Sequence, residues 1–152
     1  MRKLTLLLCL LATAFVTISG QSVLNSSADS ILGEYEVRHQ GEYTKVRVTK
    51  DTDGTYKAQV FWVEDRLDKN GNVRLDEKNP DKSLRHIECD QIVLISGLKY
   101  NGKKQEWTDT KVYDPTRGIR ANVTCTFQPD GLLRVKGSLL GFSQSIYWRK
   151  IE

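Results

Sequence analysis

From about residue 33 onward the chain alternates. Val46 and Val48 stand between Lys45, Arg47 and Thr49, and Tyr56, Ala58, Val60 and Trp62 take every second place in the next run. Apolar residues at a period of two predict strands with one face turned to a core. Asp53-Gly54 separates the two runs, and an Asp-Gly pair accepts the positive φ that a tight hairpin demands. The pattern returns at Val123, Cys125 and Phe127, where Pro129-Asp130-Gly131 turns the chain into Leu133 and Val135. Gly137 and Gly141 bracket another bend, after which Ile146 and Trp148 share a face of the last strand. The unbroken aliphatic run 92–95 predicts a strand covered on both sides. Helical patterning is confined to residues 79–84, where Asn79 offers a cap and Pro80 suits the first helical position. The expected fold is all-β: an antiparallel barrel or sandwich of about seven to nine strands with one short helical turn. Closure into a barrel would remove exposed edges.

The first twenty residues break this pattern. Arg2 and Lys3 precede an apolar stretch over residues 4–18, and the small Ser19 and Gly20 lead into the polar Gln21 and Ser22. That order predicts a signal peptide over residues 1–20, cut after Ser19 or Gly20, and so a periplasmic or secreted product. The stretch is shorter than the ~20 residues of a spanning helix, and no later run is long enough to span as a helix. Cys9 has too little of the stretch upstream of it to be a lipid-attachment cysteine. Residues 21–31, with Asn25, Ser26, Ser27, Asp29 and Ser30, read as a polar leader, and residues 32–152 as one domain. A domain of that size buries roughly two-thirds of its surface on folding.

Charge changes the picture little. Arg2 and Lys3 account for two of the 23 basic residues, and the remainder stands against 19 acidic ones with a formal charge of +2. The signs are interspersed, so no basic track marks a nucleic-acid partner. Cys89 and Cys125 remain after processing, and two alternatives stay open for them: a disulfide, which an oxidising compartment favours, or two buried thiols. Only His39 and His86 could join them around a metal, at unsuitable spacing. The acidic stretch 64–77 fails the calcium-loop pattern: with Gly71 at the glycine position, Arg66 falls where the first carboxylate belongs. It reads as a polar hairpin turning at Asn70-Gly71. His86 and Cys89, three apart in an extended segment, point to opposite faces and cannot form a dyad. No catalytic residues, metal ligands or cofactor are assigned. Asn25 and Asn122 match the glycosylation sequon.

The order of several short motifs adds a resemblance. Gly33-Glu34-Tyr35 opens the domain; Asn79-Pro80-Asp81 and Arg85 follow, then Gly97-Leu98, then Trp107 and Tyr113-Asp114-Pro115-Thr116-Arg117-Gly118, and finally Leu133 to Gly137 and Trp148-Arg149. Across most of residues 33–151 the chain resembles the bacterial family DUF2147, whose fold is similar to the lipocalin-like barrels. Tyr35 stands where that family usually has Trp, and Gly141-Phe142-Ser143-Gln144 replaces its glycine-arginine-threonine-glutamine run. The resemblance implies a lipocalin-like β-barrel and an envelope location, and no reaction.

In such a barrel the aromatics become candidates for a pocket. Tyr35, Trp62, Trp107, Tyr113 and Trp148 would line it, and Arg85 or Tyr113 would anchor a polar head. The leading expectation is an exported protein that binds a small lipophilic molecule. Two others stand beside it: a surface module for a protein partner, its barrel packed solid, and a hydrolase.

Overall fold

The computed structural model describes residues 23–152, so the predicted signal peptide lies outside the described residues. Nine strands follow in order: β1 (Gly33–His39), β2 (Glu42–Lys50), β3 (Tyr56–Val63), β4 (Val93–Asn101), β5 (Glu106–Thr108), β6 (Lys111–Asp114), β7 (Ile119–Phe127), β8 (Leu133–Leu139) and β9 (Phe142–Lys150). Every pairing is antiparallel. The sheet closes on itself, because β1 pairs with β9 as well as β2, and β3 pairs with β4. β5 and β6 both lie between β4 and β7. They share one place in the ring, interrupted at Asp109 with φ 69°. The result is an eight-position antiparallel barrel with no open edge: of the barrel and sandwich that the alternation allows, it is the barrel that the resemblance implies.

Up-and-down connection gives the barrel two unlike ends. One, the base, gathers the starts of β1, β3, β5 and β8. The other, the mouth, gathers the β1–β2, β6–β7 and β8–β9 turns and the long segment 64–92 between β3 and β4.

The base is packed. Trp107 lies between Tyr100 and Phe127, with ring centroids 5.1 and 5.8 Å away, and Tyr35 meets Trp148 at 5.9 Å. Residues 23–31, grouped by composition with a leader, close this end as two 3-10 turns, Val23–Ser26 and Ala28–Ile31. Their backbone carbonyls receive the polar tips of the core aromatics. Trp107 Nε1 donates to Ala28 O at 2.9 Å, Tyr35 Oη to Ile31 O at 2.7 Å, and Tyr100 Oη to Asn25 O. Buried rings thus keep their hydrogen bonds, as such rings must.

Three local expectations change. β3 carries a bulge: Val46 faces Val60, yet Lys45 faces Trp62, so Phe61 is extra. The extra residue inverts the alternation. Val63 turns inward, and Trp62 turns out, 42% exposed, with Lys45 Nζ 5.2 Å from its ring. The run 92–95 is not covered on both sides; Ile92 and Ile95 are buried but Val93 is exposed. The helical turn is a 3-10 turn at Lys82–Leu84, capped by Asp81, which accepts from Ser83 N at 2.9 Å. Asn79 lies one turn earlier and is buried.

Candidate functional site

Inward-facing side chains are bulkiest at the base on several strands. On β7 Phe127 stands at the base and Ala121 at the mouth; on β8 the series runs Leu133, Val135, Gly137; on β1 Tyr35 stands at the base and Val37 above it, with His39 at the rim. The large residues fill the base half. The small ones leave the mouth half hollow, with a cavity of about 800 Å³. Its wall is aliphatic, built from residues such as Val37, Val46, Val60, Val112, Val135 and Ile146, with Trp148 near its floor. At Gly137 an added Cβ would stand 3.4 Å from both Ala121 and Val112, on the neighbouring strands of the same wall, so the missing side chain leaves room just where the wall is closely packed.

The rim is polar and partly roofed. Residues 74–76 run antiparallel to 87–89, with Cys89 N donating to Arg74 O at 2.9 Å and Asp76 N to Ile87 O at 2.9 Å. This strap is fastened at alternate positions, as an extended segment allows. Arg74 pairs with Glu42 at the start of β2. Asp76, buried, accepts from Tyr113 Oη on β6 at 2.6 Å and from Asn79 Nδ2 at 2.7 Å. Lys78 Nζ donates to Thr116 O at 2.7 Å. The strap therefore reaches from β2 to the β6–β7 turn, over β3 and β4. It leaves the mouth open beside the β1–β2 and β8–β9 turns. Gly118 fits the crossing closely: with φ +66°, its added Cβ would lie 2.3 Å from Lys78 O.

The residues singled out from sequence fall in different places. Trp148 and Tyr113 border the cavity. Tyr113 does so from the rim, on the face it shares with Arg120, whose guanidinium lies 4.8 Å from its ring. Burial, then its bond to Asp76, raises its pKa, so the phenol holds its proton. Tyr35 and Trp107 are packed in the base, Trp62 lies outside, and Arg85 is an exposed residue whose Nε donates to Asn79 O at 2.8 Å. None of these four borders the cavity. Of the alternatives for the cysteines, the structure has the free thiols. Cys89 borders the cavity and donates to Arg66 O at 3.7 Å; Cys125 is buried in the base half, its pKa pushed up to about 12 by desolvation. His86 is exposed, and no cluster of His, Cys, Asp and Glu that could hold a metal occurs among the described residues.

Sequence reasoning missed the strap and the aliphatic wall. The step from Phe127 to Ala121 along β7 and from Leu133 to Gly137 along β8 is the signal that could have found the cavity. The partners of Arg74 and Asp76 come from distant strands, and nothing local announces them.

The model of the family described as an uncharacterized protein conserved in bacteria, DUF2147, matches residues 33–150. The chain belongs to the DUF2147 family. The match covers every strand of the barrel and the whole cavity wall. This DUF2147 barrel is also similar in structure to protein HP1028 from the human pathogen Helicobacter pylori, a protein described as belonging to the lipocalin family. The two share 21% sequence identity with a TM-score of 0.62, over 80% of this chain and 82% of that one. That likeness establishes the lipocalin-like fold. No curated protein matches the chain in sequence.

Proposed function

We propose that this DUF2147 barrel binds a small lipophilic molecule in its mouth-half cavity, as an exported protein of the bacterial envelope. One observation carries the reading: a hollow of about 800 Å³ walled by aliphatic side chains at the open end of an otherwise packed barrel. Ligand sites are typically concave and apolar with a few placed polar groups, and the strap supplies such groups at the rim. The likeness to a lipocalin-family barrel supports it by analogy of fold. Export is supported by the basic, apolar and small order of residues 1–20. A solidly packed barrel acting only through its surface fits the base half but not the mouth half.

The test is titration with N-phenyl-1-naphthylamine. Of the chain's three tryptophans only Trp148 borders the cavity. Saturable quenching of Trp148 emission is therefore expected in a Trp62→Phe, Trp107→Phe background. Ala121→Phe places a ring in the hollow and should weaken binding at least about tenfold, some 1.4 kcal/mol. Absence of saturable binding, or equal binding by the filled variant, would refute the cavity reading.

A further inference from the structure

Two hairpins at the mouth have the same turn and opposite chemistry. Between β1 and β2, Gln40 and Gly41 carry φ 51° and 89°, flanked by the paired His39 and Glu42. Between β8 and β9, Leu140 and Gly141 carry φ 49° and 83°, flanked by the paired Leu139 and Phe142. Both are two-residue turns with positive φ at each central position, a geometry that favours Asn, Asp or Gly. The first hairpin keeps to polar residues. The second places a leucine where the backbone disfavours it and leaves it 89% exposed, with Phe142 83% and Leu139 42% exposed.

Nothing in the fold requires this. The neighbouring hairpin shows that the turn forms with a polar residue, and the leucine is covered by no other part of the described chain. Local rules are broken in this way where function demands it. We propose that the tip 139–142 is a docking element that inserts into the interfacial region of a lipid bilayer and brings the cavity mouth to its surface.

Three features favour a bilayer over a protein. The protrusion is a convex tip of three apolar side chains, far short of the roughly 800 Å² per partner of a stable protein interface. The tip is continuous with the cavity, since Leu139, Leu140 and Phe142 border its opening on the side the strap leaves uncovered. A lipophilic molecule would then pass from hydrocarbon to an aliphatic wall with little exposure to water. Basic side chains stand beside it: Arg117, in an ion pair with Asp114 at 2.7 Å and with its Nη2 donating to Gln144 of β9 at 2.8 Å, and Lys78 in the adjoining strap, whose Nζ donates to Thr116 O. Basic groups near an apolar insertion strengthen attachment to anionic lipid. The passage of ligand rests on the proposed function; the docking itself does not.

The experiment uses the chain from Gln21 onward, which holds the base turns and every strand. It is sedimented with vesicles of phosphatidylcholine containing a minority of phosphatidylglycerol. The parent should sediment with the vesicles, and Leu140→Asn with Phe142→Ser should lower the bound fraction at least tenfold. Leu140→Asn alone should leave the melting temperature unchanged or raise it, because Asn-Gly suits the turn, and the double variant should melt as the parent does, so lost docking cannot be ascribed to unfolding. Ala121→Phe, which fills the cavity, should still sediment; docking and cavity can thus fail separately. A parent that stays in solution, or a double variant that sediments like the parent, overturns the proposal. So does self-association of the parent without vesicles that the double variant abolishes, since the occupant would then be a second copy.

Discussion

Single residues hold this barrel shut. Asn25 is buried at the base, where its Nδ2 donates to Phe127 O at 2.8 Å and its Oδ1 accepts from Phe127 N at 2.7 Å. One side chain thereby imitates the neighbouring strand that Phe127 lacks. Asn25→Ala would strand both backbone groups, so a loss of about 2–3 kcal/mol is expected in urea denaturation. The sequence presents Asn25 as a glycosylation sequon, but its amide nitrogen is occupied in the folded barrel. A motif read over three residues cannot register a partner 102 residues away. The cysteines make a second residue-scale prediction. Thiolates react, not thiols, and burial raises the pKa of both groups. Cys89 at the cavity border should react slowly with a thiol reagent in the native protein. Cys125 should react only after unfolding, which mass spectrometry of labelled peptides will resolve.

At the scale of elements, the strap and the base turns are held by polar fastenings as well as by the apolar packing of Ile31, Ala28 and Ile87 against the core. Tyr113→Phe removes the hydroxyl from the buried Asp76 carboxylate, and a hydrogen bond to a charged group contributes about 1.5–3 kcal/mol. Stability should fall by that order, and release of a cavity-bound probe should quicken in stopped-flow mixing, because one of three strap fastenings is gone. The base answers to acid. Asp29 accepts from Lys50 Nζ at 2.8 Å and from Tyr56 Oη, and these bonds hold its pKa below the ordinary carboxylate value. A lowered folded-state pKa stabilises above the unfolded value, about 3.9, and that contribution is lost as pH falls through the folded value. The protection factor of the Trp107 indole proton, bound to Ala28, measured against the free indole's own exchange at each pH, should therefore fall below about pH 4 and hold constant between pH 5 and 8. Strands were legible in the sequence because alternation is local. The bulge at Phe61 was not, since it is defined by the register of β2 against β3, and for that reason Trp62 read as a wall residue.

For the whole molecule, the all-β class followed from the spacing of turns and strands, which allowed a barrel or a sandwich, and closure followed from the family resemblance, while the void inside depends on how side-chain volume is distributed around the ring. Each strand taken alone shows an apolar face. Only the eight together show that bulk is concentrated at the base and withheld at the mouth. Phe127, Tyr35 and Trp107 anchor one half, whereas Gly137 and Ala121 leave space in the other. The aromatics drew attention as candidate pocket residues because their size is conspicuous, yet most of them are what makes the rest of the barrel rigid enough to keep a hollow open.

The base also receives both ends of the described chain. Val23 begins the first turn there, and Glu152 O accepts from Glu34 N at 2.8 Å where β1 starts. Handle and aperture are thus at opposite poles. A surface, resin or carrier protein joined through either terminus would hold the molecule upright with its aperture outward, and a spacer of a few residues would suffice at either end.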